Sequence, residues 1–225
     1  IEGGLEYQQI DCFERFTTSQ DRGSTSGLMR AASTVVHECG HMYDISSGGF
    51  SSATYVVTDV LTLTCSGGGR GDTFVRSNIF DDEYQDLNPN DFYASTYLTG
   101  ASGNQGFDML FEETVQYVNS LATGYAFNDA IQGQISERDG ILTFLWYVER
   151  YLHMARLDDP STYAALAEDP CWREAILTIW GRAWLYLEAT EDIHGLGISD
   201  DDLIELVRDP DLLNEIELLR DAEGC

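Results

Sequence analysis

His37 and His41 stand four residues apart in STVVHECGHMYD, residues 33–44, and Glu38 directly follows the first of them. Half of the chain's four histidines thus fall within one helical turn. Residues at this spacing lie one above the other on a helix, close enough for both imidazoles to reach a single ion. Glu38 projects about 100° round the axis, which takes it away from that ion and towards a water bound to it. This suits a general base, because a divalent metal brings the pKa of its water towards about 7 and a carboxylate takes the proton as the oxygen attacks a polarised carbonyl. HECGH is an HExxH motif, the pattern of zinc hydrolases.

The element carrying the motif is predicted as a helix from about Leu28 to Tyr43, following the loop SQDRGSTSG. Leu28, Ala32, Val35, Cys39 and Met42 fall in one stripe, which reads as the buried face. His37 and His41 lie opposite, with Arg30, Ser33, Gly40 and Asp44, and so face a cleft. Cys39, within the stripe, is expected to be a free thiol serving as a small hydrophobe.

Two histidines leave a zinc one protein ligand short. The stretch after the motif, HMYDISSGG, has no downstream histidine to complete the set, and Asp44 is placed only to support a ligand. His153 and His194 are available. The stronger candidate is the pair Glu112 and Glu113 in GFDMLFEETVQYVNSLATGY, near the start of a helix whose apolar face carries Leu110, Phe111, Thr114, Val118, Leu121, Ala122 and Tyr125. A carboxylate on an otherwise buried helix needs a partner, and a metal supplies one. Glu113 lies nearer the apolar arc than Glu112 and is the favoured ligand, leaving its neighbour to accept from the second ring nitrogen of a histidine.

In these residues the chain resembles the gluzincin metallopeptidases, in which HExxH is completed by a glutamate on a later helix. The resemblance covers the two helices alone. It implies a zincin-like α+β fold, one catalytic Zn2+ held by His37, His41 and one of Glu112 or Glu113, Glu38 as general base, and a peptide or protein substrate. A donor to the developing oxyanion is also needed, and Tyr97, Tyr151 and His153 are the candidates. Only 36 residues precede the motif, so the sheet that usually comes first must be reduced or partly supplied by residues 53–65.

The elements that position these groups divide near residue 106. Short strands are predicted within 5–13 and 53–65, and residues 66–106 read as mostly loop. Helices follow at 107–123, 137–157, 171–190, 200–208 and 210–221, punctuated by Asp-Pro pairs at 159–160, 169–170 and 209–210. The expected architecture is a small mixed lobe, 1–106, carrying the HExxH helix, and a helical lobe, 107–225, carrying the third ligand, together forming one catalytic domain.

Composition narrows the partners. Against 39 acidic residues stand 12 basic ones, all arginine, for a formal charge of -27. Such a surface repels nucleic acid and anionic lipid, whose binding depends on basic side chains. A soluble monomer is expected, with 43% hydrophobic residues sufficient for a core. No apolar run reaches the roughly 18 residues of a membrane span. The start at Ile1 looks like that of a processed, secreted or periplasmic protein, with disulfides expected as Cys12–Cys65 and Cys171–Cys225.

Two other readings stand beside the peptidase: a zinc amidase or deacylase acting on a non-peptide substrate, and a non-catalytic, calcium-dependent acidic binding module. DLNPND opens like a calcium loop but has Asp91 where glycine is needed and Tyr97 where a glutamate should close the site. A less regular Ca2+ site among Asp81, Asp82, Glu83 and Asp86 stays open. Arg70-Gly71-Asp72 reads as a chance tripeptide.

Overall fold

In the computed structural model, which describes residues 12–49, 52–66, 73–130 and 134–225, two short helices, α1 (Cys12–Arg15) and α2 (Ser19–Arg22), precede the long helix α3 (Thr25–Gly48). The Ser24 side chain accepts from the Gly27 N–H and starts α3 ahead of Leu28, and the helix continues past Tyr43 to Gly48. Most of the strand expected at 5–13 lies outside the described residues. Its last two positions, Cys12 and Phe13, are helical, because Cys12 is drawn onto α3.

A hairpin follows, β1 (Ala53–Val56) and β2 (Thr62–Cys65), antiparallel with Ala53 opposite Cys65 and Tyr55 opposite Leu63. Tyr55, Leu63 and Cys65 point into the core. This is the only sheet among the described residues. The region expected to be loop holds a 3-10 turn at Arg76–Ile79 and three short helices, α4 (Asp82–Leu87), α5 (Ala94–Tyr97) and α6 (Gly100–Gly103). Buried Phe74, Ile79, Tyr84 and Leu98 anchor it. Their spacing follows no single period, which hid these turns from a pattern reading.

The remaining helices are α7 (Phe107–Ala126), α8 (Glu137–Asp158), α9 (Pro160–Ala167), α10 (Pro170–Ala189), α11 (Asp200–Val207) and α12 (Pro210–Glu223). At each Asp-Pro pair the aspartate caps the first turn and proline takes the first helical positions. That chemistry explains α9, which was not among the expected helices. The described residues are therefore mainly helical with one small sheet.

Helix α8 runs through the centre and is buried continuously from Arg138 to Leu152. Helix α7 packs against it and α3 packs against α7, while α9, α11 and α12 cover other sides of α8. Trp146, Trp172, Phe107 and Phe111 are each at most 1% exposed, and truncating a ring so buried costs about 3–5 kcal/mol. The main core cluster extends from Tyr55 to Leu219 and draws residues from both sides of position 106.

Both expected disulfide pairings are corrected. Cys12 bonds Cys39 and Cys65 bonds Cys171, leaving Cys225 free and exposed. Of the apolar stripe of α3, Val35 and Cys39 are buried and Leu28, Ala32 and Met42 half-buried, and Val35, Cys39 and Met42 pack under α1 in a satellite cluster with Cys12, Phe13 and Phe16. Cys39 is thus a cystine half and not a free thiol. Cys171, at the start of α10, meets the end of β2. Two disulfides agree with an oxidising, extracellular setting. Among the described residues no helix is long and apolar enough to cross a membrane.

Candidate metal centre

The face of α3 opposite its apolar stripe carries His37, Gly40, His41 and Asp44, and it lies on α7. Gly40 makes the approach possible. A Cβ there would stand 1.8 Å from Gln116 Oε1 on α7, well inside contact distance, so a larger residue would displace the buried Gln116 amide from its place. Gly140 does the same on the other side of α7, where a Cβ would meet the Tyr117 ring at 2.2 Å. Helix α7 is clasped between α3 and α8, which fixes the rotation of Glu112, Glu113, Gln116 and Tyr117.

That rotation brings the predicted ligands together. His37 Nε2 is 3.3 Å from Glu113 Oε2 and His41 Nε2 is 3.5 Å from the same oxygen. One ligand atom from each of His37, His41 and Glu113 lies within 4.8 Å of the others, the only group of three or more His, Cys, Asp or Glu so placed among the described residues. Ligand atoms held about 2.0–2.1 Å from a tetrahedral ion stand about 3.3 Å from one another. Two of the three edges already match, and the histidine–histidine edge has only to shorten. Glu113 Oε2 is buried and pairs with both histidine nitrogens, an arrangement in which a cation could take the place of their protons. The His37–His41–Glu113 group can hold a metal ion.

Glu112 takes the supporting position. Its Oε2 contacts His41 Nδ1 as an ion pair, so the two nitrogens of this imidazole address the two consecutive carboxylates. Gln116 Nε2 donates to Glu112 Oε1 at 3.2 Å and to Asp44 Oδ2 at 2.8 Å, and Asp44 Oδ1 accepts from the Val56 N–H at 2.9 Å. His37 is braced by ring contacts, its centroid 4.5 Å from Tyr117 and 4.8 Å from His41, both edge to face.

Charge follows this packing. Burial alone would push His41 down, but the carboxylates of Glu112 and Glu113 reverse the effect and hold it up at about 10. For Glu113, burial favours the neutral acid, and bonds to His37 and His41 overcome it, bringing the carboxyl down to about 2. Burial pushes Asp44 up to about 8 against its bonds from Val56 and Gln116. Without a metal, then, a proton on His41 balances Glu113.

The group opens on a cavity of about 660 Å³ also lined by Glu38, Asp44, Tyr55, Tyr97, Asp108 and Met109. Tyr97, pushed up to about 12 by burial and by Glu113, keeps its proton and remains a donor there. The other two oxyanion candidates are elsewhere, which corrects that expectation. Tyr151 is fully buried and donates to the Phe74 carbonyl at 2.6 Å, while His153 pairs with Glu215 at 3.1 Å. His194 is exposed, on a 3-10 turn outside the cavity. At the proposed calcium cluster, Asp81 caps α4 and both Asp81 and Glu83 pair with Arg150. Arg70-Gly71-Asp72 lies outside the described residues.

Two neighbours of the centre escaped the sequence reading. Gln116 carried a usable signal, four residues after Glu112 and therefore on the same helical face. Arg76 carried none. It is 1% exposed, its Nε and Nη2 have no acceptor, and the desolvation that lowers its pKa is opposed by Glu113, Glu112, Tyr97 and Asp108. A buried cation here offsets the carboxylate charge of the centre. No protein-family model, no curated protein and no solved structure matches the chain.

Proposed function

We propose that this protein is a secreted zinc-dependent metallopeptidase of the gluzincin type, with His37, His41 and Glu113 as ligands and Glu38 as general base. The observation that carries this reading is the convergence of two imidazole nitrogens on one buried carboxylate oxygen, at a cavity that Glu38 also lines. Two nitrogens and one carboxylate oxygen form a donor set that suits zinc and leaves a position open. Bound there, zinc would supply Lewis acidity towards a substrate carbonyl and lower the pKa of water at the site.

The chain's own residues do the rest. Glu38 follows His37 on α3 and faces the cavity without belonging to the ligand group, so its carboxylate accepts a proton from water and hands it to the leaving amine. Tyr97 presents a protonated phenol to the same cavity and donates to the oxygen that gains charge in the transition state. Ala53, Thr54 and Tyr55 of the hairpin form a further wall of the cavity, against which a substrate chain can lie.

The test is Glu38→Gln. Elemental analysis should find about one zinc per chain in both proteins, and hydrolysis of a mixed peptide library, read by mass spectrometry, should be lost in the variant alone. A variant that still cleaves peptides would overturn the mechanism, and a wild-type protein that binds no zinc would overturn the whole reading. Small amides in the same screen distinguish a peptidase from an amidase.

A further inference from the structure

The side of His41 away from Glu113 is tied into a buried polar chain that the proposed chemistry does not use. Glu112 meets His41 Nδ1, Gln116 holds Glu112, Asp44 holds Gln116, and the Val56 N–H of strand β1 holds Asp44. Gln116 is 0% exposed and Asp44 4%, so water does not compete for these bonds. The amide cannot turn over. Its Oε1 accepts from Asn119 Nδ2 at 3.3 Å, and Asn119 Oδ1 accepts from Arg182 Nη1 at 3.2 Å, so both protons of Nε2 must point at the two carboxylates.

We infer that Gln116 and Asp44 are positioning residues of the metal centre. They set the plane of the Glu112 carboxylate, and through it the ring orientation and tautomer of His41. This inference rests on the metal-centre reading. The physical reason is degeneracy. A glutamate alone can rotate about its terminal torsion and meet an imidazole in several ways, whereas one whose second oxygen is held by a fixed amide has one orientation. With Nδ1–H committed to Glu112, the Nε2 lone pair is the one left towards Glu113 and His37. Asp44 extends the constraint to β1, whose residues Ala53, Thr54 and Tyr55 line the same cavity. The ligand and the cavity wall are thereby joined by one hydrogen-bonded path. Gly40 belongs to the device, since it leaves the space that Gln116 occupies.

The test is zinc titration against a fluorescent chelator for the wild type, Gln116→Met, Gln116→Glu and Asp44→Asn, with Co2+ absorption spectra of each and thermal melts of the metal-free proteins. Methionine keeps the volume without the amide. Glutamate keeps the shape but replaces the donors with acceptors. We expect zinc affinity to fall by about 10- to 100-fold in Gln116→Met and at least as far in Gln116→Glu, with a changed cobalt spectrum and a metal-free fold that still melts cooperatively. Should one Gln116 variant fail to fold, the other and Asp44→Asn carry the same comparison. Tight zinc binding by the wild type with affinities within twofold in every folded variant, and unchanged cobalt spectra, would overturn this inference and leave the metal centre standing. No zinc binding by the wild type would overturn both.

Discussion

Glu149, in the middle of α8, is 0% exposed, and neither of its carboxyl oxygens has a hydrogen-bond partner. Burial, with a smaller addition from the negative charge of Asp209, pushes its pKa from 4.5 up to about 10. The folded protein therefore holds a proton that the unfolded chain releases near pH 4.5. Its contribution to stability is complete below that pH and is lost as pH rises towards 10. Each unit in this window costs about 1.4 kcal/mol, so about 3 kcal/mol has gone by pH 7. Glu149→Gln keeps the volume and removes the titration. Urea unfolding of the metal-free proteins, followed by circular dichroism at constant ionic strength, should give nearly equal stabilities at pH 4.5 and a variant more stable by about 3 kcal/mol at pH 7. The other acidic residues titrate in both proteins, so their effects cancel in the difference. Parallel stability curves across this range would refute the reasoning and show that Glu149 is charged or solvated in the folded state.

Two further substitutions test the arrangement of the centre. Glu113→Ala should lose more zinc affinity than Glu112→Ala, whose loss should stay within about 10- to 100-fold, because only Glu113 presents an oxygen to both Nε2 atoms; the reverse order in a chelator titration would make Glu112 the ligand. Gly40→Ala should lower stability by about 1–3 kcal/mol in thermal melts, since the new methyl group meets Gln116. Helix propensity alone predicts a gain of about 1 kcal/mol, so a neutral or stabilised variant would show that the Gln116 amide gives way at this point without cost.

How much of this the sequence disclosed depended on how local the cause was. The long helices were legible because periodicity and Asp-Pro caps act within a few residues. The bounds of α3 were less so, since its start is set by one hydroxyl, that of Ser24. The helical turns between residues 76 and 103 were missed because isolated buried residues hold them, Phe74, Ile79 and Tyr84 among them, and not a repeating face. The cystine pairs were misread for a related reason. Pairing by position in the chain favours staples within each half, but Cys65 and Cys171 are brought together by packing of the hairpin on α10, a contact between residues 106 apart. A closed loop of that length restricts the unfolded chain by about 5 kcal/mol on the entropic account.

The centre follows the same rule, with one instructive exception. His37, Glu38 and His41 were legible because their spacing is their chemistry. The partner helix was found from an acidic pair on an apolar face, yet the wheel could only rank Glu113 above Glu112. What separates their roles is the angle between neighbouring positions on α7. Consecutive side chains point about 100° apart, and an imidazole presents its two nitrogens on different edges. Two adjacent carboxylates can therefore reach both nitrogens of one ring, provided that the ring approaches closely and the helix cannot turn. Gly40 supplies the approach and the Gly140–Tyr117 contact prevents the turn. Neither glycine announces this in a sequence, because each works through the space it leaves for a residue on another helix. The EE pair is thus an ambiguous motif when read alone and a specific one when read with its glycines. One acid faces both Nε2 atoms, the other holds the far side of His41, and exchanging their roles would require α7 to rotate against the Tyr117 ring packed on Gly140 and to displace the Gln116 amide packed on Gly40.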